Sequence, residues 1–227
     1  MMRMLLLLLT GLALGCRAEE PTSLSIEIEA VEVSAEGMGM PVEAPILTGT
    51  GWAPPAVIVM GPVDEDLTER ARLWSERNLA IPVPRRESVE EEGVTLEDAA
   101  HQVSALVGEK DAGLVALVWT REFYTVHGFM WPDNRVVIIN IRTLMADNPD
   151  EETLGRRVER QVIRGVCMLL GLEYSPNPMS AMWGYSNLEE LDQMGRNLDP
   201  PWLRKLQERA LELGIPLDED NPFFILR

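Results

Sequence analysis

The stretch Glu152–Met182, ETLGRRVERQVIRGVCMLLGLEYSPNPMSAM, constrains the rest of the chain most. Leu154, Val158, Val162 and Val166 recur at spacing four, which places them on one face of a helix that must bury that face. Asp150 is positioned to cap its start. Gly171 stands where the helix has to stop, because a residue without a Cβ accepts the left-handed conformation that ends a helix. Ser175-Pro176-Asn177-Pro178 then reads as a turn, and it delivers Met182 back beneath the helix.

A helix broken at a glycine and followed by a methionine-bearing turn resembles the zinc site of the metzincin peptidases. In its register the stretch resembles the archaemetzincins, with the signature His-Glu-x-x-His-x-x-Gly-x-x-His-Cys, then Cys-x-Met, then a distant Cys-x-x-Cys. With the glycine at Gly171, the resemblance puts the three zinc histidines at Arg164, Met168 and Tyr174 and the general-base glutamate at Gly165. The family's second-site cysteines fall at Ser175, Ser180, Pro200 and Leu203, the Met-turn methionine at Met182, and a family aspartate at Asp192. The resemblance implies an α/β (α+β), zincin-like single domain with a mixed twisted sheet, a long central helix and a small helical C-terminal part.

The spacing is kept while the ligands are gone. Catalytic zinc takes about three nitrogen or oxygen ligands plus an open position for water. Arginine cannot serve, since its guanidinium stays protonated. Met168 offers a soft thioether and Tyr174 a phenol, and a glycine at 165 leaves no carboxylate to deprotonate a bound water. Arg164, Gly165, Met168, Tyr174 and Met182 therefore form a degenerate site. No catalytic residue, metal ligand or cofactor is assigned, although the family resemblance implies zinc. Arg164 is expected to fill the metal's place and to be held by a carboxylate, Asp192 in preference to Glu173, because a buried unpaired charge is costly.

Upstream, Met1–Gly15 has one basic residue, Arg3, an apolar run and small residues before Cys16. The run is about a dozen residues, too short to span a bilayer and suited to a signal peptide. Ala13-Leu14-Gly15-Cys16 resembles a bacterial lipobox, so Cys16 is expected to carry lipid and hold the chain to the cell envelope. An ordinary secretory signal or an uncleaved anchor is the alternative. Residues 16–53 read as lipidated cysteine and tether, with one alternating strand at Leu24, Ile26 and Ile28. With 37 acidic against 20 basic side chains, net −17, the chain is no partner for nucleic acid. Cys167 is the only other cysteine, so once Cys16 is acylated no disulfide can form.

The domain is expected over residues 54–227. Ala56–Met60, Ala112–Thr120 and Asn134–Ile141 read as buried strands, and Leu79–Pro84 as an edge strand because of its prolines. Helices are expected from Asp64 or Asp66 to Asn78, with Leu67, Ala71 and Trp74 inward, and from Thr95 to Val107, burying Leu96, Val103 and Leu106. Arg121–Pro132 reads as irregular. After the turn, a short helix starts at Ser186-Asn187-Leu188-Glu189. Another, opened by Asp199-Pro200-Pro201, carries Trp202, Leu206 and Leu211 to Gly214. The apolar tail Phe223–Leu226 should pack back on the domain.

Other chemistry is thin. His101 should be exposed, and His127 should face the groove. Neither has the spacing of a metal site. Gly184-Tyr185-Ser186-Asn187 is not a nucleophile elbow, and Cys167 on an apolar helix face is an inert core residue. The expected role is that of a non-catalytic envelope lipoprotein, anchored through Cys16. It would bind a peptide or protein in the former substrate groove, with Asn140, His127 and Asp192 as groove residues and the edge strand within Asn134–Ile141 as the docking rail. The alternatives are a peptidase with a rearranged metal site or other mechanism, and a purely structural surface lipoprotein.

Overall fold

A computed structural model describes residues 45–90, 95–120 and 126–226. The expected signal peptide, Cys16 and the Leu24–Ile28 strand lie outside them. The first element is β1 (Ala56–Met60), followed by α1 (Glu65–Leu79) and α2 (Leu96–Ser104). Next come β2 (Leu114–Val118), β3 (Gly128–Trp131), a 3-10 turn at Pro132–Asn134 and β4 (Val136–Asn140). Four helices complete the order: α3 (Ile141–Leu144), α4 (Glu151–Leu169), α5 (Leu188–Gln193) and α6 (Pro200–Leu213).

The four strands form one mixed sheet in the order β1-β2-β4-β3, with β1, β2 and β4 parallel and β3 antiparallel to β4. The runs AVIVM, LVALV and VVIIN are buried at every position, as strands covered on both faces must be. Alternate residues divide between two cores. Val57, Val59, Val115, Leu117, Val137 and Ile139 meet the helices α1, α4 and α6. Ile58, Met60, Leu114, Val118, Val136 and Ile138 meet α2. The domain is thus three layers, with α4 lying across the sheet and packed lengthwise against α1.

Local chemistry sets the helix ends. The side chains of Asp64, Thr95 and Asp150 accept from the backbone N–H three residues on, at 2.8, 3.0 and 2.7 Å. At the other end of α4, Gly171 takes φ 87°, its N–H reaches the Met168 carbonyl at 2.9 Å, and Leu172 N–H reaches Cys167 at 3.0 Å. This is the paired closure that glycine permits.

Three sequence expectations are corrected. Leu79–Pro84 is no strand: Leu79 ends α1, Ala80 is left-handed, and the chain beyond runs along β1 through isolated bridges at Arg85 and Val89. Pro82 and Pro84 have no N–H to sustain a ladder. Leu106 is 50% exposed because α2 ends at Ser104 and tightens into three-residue hydrogen bonds, which rotates it off the apolar face. On α6, which does run through Leu206 and Leu211, Leu211 is 55% exposed, and Leu206, Ala210 and Leu213 form the buried face. The aromatic stretch read as irregular contains β3, so β4 is an inner strand and β3 the edge. Ahead of Pro54, Leu47 is buried, its carbonyl accepts from Arg209, and Trp52 N–H donates to the Leu213 carbonyl. The C-terminal tail does pack back, with Gln207 bonded to Phe223 and Ile225.

Candidate functional site

The central helix carries an unusual load of buried polar side chains: Arg157, Glu159, Arg160, Gln161 and Arg164. Arg157, Arg160 and Arg164 are spaced three and four apart and so share one side of α4. All three reach the crossing segment between Ala181 and Gly195. Arg157 pairs with Asp192 through Nε at 2.9 Å and Nη2 at 2.6 Å, with Asp147 through Nη1 and Nη2, and donates to the Leu144 carbonyl. Arg160 donates to the carbonyls of Asp192 and Met194. Arg164 donates through Nη1 to the carbonyls of Ala181 at 3.0 Å and Trp183 at 2.5 Å. Glu159, on the opposite edge, is 1% exposed and bridges Arg70 and Arg196.

The turn that follows α4 is closed by Ser175 N–H on the Met182 carbonyl at 2.9 Å, and Met182 is fully buried in the core. Ser175 Oγ donates to Asp199, which has no side-chain bond to its own helix, and Ser180 Oγ accepts from Met182 N–H. At two positions where the resemblance expects cysteine, hydrogen-bonded serines now hold this corner.

Arg164, Met168 and Tyr174 converge, as their register implies. They line a cavity of about 30 Å³ together with Gly128, Gln161 and Tyr185. The Arg164 guanidinium lies between two rings, 5.1 Å from Tyr174 and 5.0 Å from Tyr185. The expected carboxylate partner is corrected. Asp192 belongs to Arg157, and Arg164 is held by main-chain carbonyls and aromatic faces. The reason is reach: Asp192 sits on α5 opposite the first half of α4, two turns from Arg164, whereas Ala181 and Trp183 flank the buried methionine directly under it.

Gly165 sits hard against the sheet. A Cβ there would come within 3.0 Å and 3.1 Å of the two Val115 methyls and 3.2 Å of a Val137 methyl. Of the other groove residues, His127 hydrogen-bonds the Tyr185 hydroxyl at 3.3 Å, and that hydroxyl accepts from Gln161 at 2.6 Å. Burial, with the Arg157 charge, lowers the His127 pKa. Burial raises that of the Tyr185 phenol, and the Arg164 charge offsets part of this. Asn140 does not line the cavity; it is buried at the end of β4, bonded to Thr120 and Thr143. His101 lies half exposed against Trp131. Cys167 is buried and free, its thiol pushed far up by burial. Tyr185 and Gln161 are site residues that sequence reasoning missed. Nothing in their spacing marked them, although Gln161 stands one turn before the flagged Arg164.

A long helix laid over a mixed sheet, ended by a glycine and underpinned by a buried turn methionine, is a zincin-type peptidase architecture. The chain is similar in fold to archaemetzincin from Methanopyrus kandleri, at 16% identity and TM-score 0.57 over 73% of this chain and 99% of that one. It is likewise similar to a zinc-dependent peptidase from Methanocorpusculum labreanum, at 15% identity and TM-score 0.55 over 67% of this chain and 99% of that one. No family model and no curated protein matches the sequence. The chain therefore has the archaemetzincin fold.

That fold implies zinc, and the residues here do not fit it. The converging side chains are a cation, a thioether and a phenol, and none is a donor suited to a dication. Among the described residues, no group of three or more His, Cys, Asp or Glu side chains is placed to hold a metal ion.

Proposed function

We propose that this chain is a non-catalytic, lipid-anchored envelope protein that uses the archaemetzincin fold to bind an extended polypeptide segment along β3. The observation that carries the non-catalytic reading is the seating of Arg164. A guanidinium bonded to Ala181 and Trp183 and flanked by two tyrosines occupies the position that the resemblance assigns to a zinc histidine. The packing at Gly165 supports it, since a general-base glutamate there would have to displace Val115 and Val137. The lipid anchor rests on the lipobox at Cys16.

The edge strand open to pairing is β3 and not β4. The Asn140 N–H donates to the His127 carbonyl, which makes that pair hydrogen-bonded. Antiparallel pairs alternate, so Phe129 and Trp131 bond inward while Gly128 and Met130 turn their N–H and C=O outward. Among the described residues nothing pairs with that outer edge. An added strand would satisfy it by main-chain hydrogen bonds, with no metal required.

Two measurements test the proposal. Full chain incubated with zinc and unstructured decapeptides is expected to cleave none of them; chelator-sensitive cleavage would overturn the non-catalytic reading. An array of the same decapeptides should contain binders whose binding is lost when alternate amides along one edge are N-methylated. Binding indifferent to N-methylation on either edge rejects strand addition.

A further inference from the structure

We propose that the Nε/Nη2 edge of Arg164 is a carboxylate-binding subsite, and that the polypeptide on β3 is recognised by a carboxylate entering the cavity beside it. This rests on the edge-pairing reading above and deepens it.

Arg164 is 4% exposed and makes no ion pair with any described residue. A guanidinium has five donors in a rigid fork. The two hydrogens of Nη1 are taken by Ala181 and Trp183, and no hydrogen bond from Nε or Nη2 to a described residue is formed. Those two nitrogens form one straight edge, and that edge matches the two oxygens of a carboxylate. The same protein shows the match filled: Arg157 presents its Nε and Nη2 to the two oxygens of Asp192. Arg164 is the corresponding fork with no acid of its own, and its ring neighbours Tyr174 and Tyr185 hold its plane.

The cavity fits this ligand in size and place. At about 30 Å³ it takes a group of two or three heavy atoms and no whole side chain. Gly128 and Phe129 of β3 are part of its wall, so a strand paired to β3 runs past its mouth. Gly128 contributes no side chain, and a Cβ there would stand 2.5 Å from the Ile138 carbonyl. The net charge of −17 opposes anions at long range. It is screened beyond roughly 8 Å at physiological salt, whereas contact with a buried fork is not.

The test uses three forms of each decapeptide that binds the full chain in detergent. The first has a free C-terminal carboxylate and no acidic residues, the second is its C-terminal amide, and the third is the amide with one internal glutamate. A carboxylate form is expected to bind at least tenfold tighter than the plain amide in wild type, and Arg164→Gln should remove that difference. A preference for the first form marks a chain terminus as the source, and a preference for the third marks an acidic side chain. Equal binding of all three forms, with N-methylation still blocking, overturns the subsite and leaves strand addition standing. An array in which no decapeptide binds the full chain overturns both. If Arg164→Gln does not fold, the wild-type comparison decides alone; if it folds and keeps the preference, another group reads the carboxylate and the assignment to Arg164 fails.

Discussion

Arg164 fastens the turn beneath α4 through the carbonyls of Ala181 and Trp183. Its two hydrogen bonds are charge-assisted and buried, and each such bond contributes about 1.5–3 kcal/mol. Arg164→Ala leaves the Ala181 and Trp183 carbonyls without donors, so a loss of about 3 kcal/mol is expected in urea unfolding. A loss below about 0.5 kcal/mol, usual for exposed sites, would mean that the side chain lies in solvent. Gly165 is the second decisive residue. Gly165→Glu forces a side chain between α4 and the valines of β2 and β4, and overpacking alone costs roughly 1–3 kcal/mol. A melting temperature at or above wild type would show that the helix has room for the peptidase glutamate. His127 adds a pH signature. Its folded pKa lies below its ordinary 6.5, so the unfolded chain binds the proton first as pH falls. Stability should therefore be flat above about pH 6.5 and decline below it, until pH passes the lowered folded value. His127→Asn should flatten the decline between pH 6.5 and 5, where the shifted carboxylates, all lowered from values of 3.8 to 4.5, do not yet titrate. An unchanged slope in that variant would place the proton elsewhere.

At the scale of elements, α4 and the segment from Ala181 to Gly195 act as one unit. Arg157, Arg160 and Arg164 fasten that segment by its carbonyls and by Asp192, and Glu159 adds the Arg70 and Arg196 pairs from the other edge. Arg157 is 1% exposed while its acids are 51% and 32% exposed, so its ion pairs are partly solvent-screened and worth less than fully buried ones. Its single bond to the Leu144 carbonyl also ties α3 to α4. The edge strand β3 is short and lies within the aromatic stretch Arg121–Pro132. Its pairing with β4 turns the strand expected at the edge into an inner one.

For the whole molecule, the resemblance implies two metal sites, and the proposed reading has neither of them at work. Saturating EDTA is accordingly expected to leave the melting temperature of the full chain unchanged. A fall of several degrees would reveal a native-state metal, because a ligand that binds only the folded form must stabilise it. No helix among the described residues is long and apolar enough to cross a membrane. The anchor is expected at Cys16, and Cys16→Ser should abolish acyl labelling in a lipoprotein-processing host. Persistent label in that variant would place the anchor elsewhere.

The helix with its glycine stop and methionine turn was legible from sequence because each depends on local rules: spacing four, a left-handed glycine, prolines in a turn. Parallel strands covered on both faces were legible for the same reason, as unbroken apolar runs. The convergence of Arg164, Met168 and Tyr174 followed from register alone. What only the tertiary structure decided was pairing across distance. Gly128–Trp131 has too few residues to show alternation, and it is a strand only because β4 lies beside it. Asp192 went to Arg157 because α5 packs opposite the first half of α4, a matter of geometry that sequence separation does not report. Tyr185 entered the site by the same route, its position set by how the Met-turn segment folds over the helix, where Gln161 of α4 meets its hydroxyl.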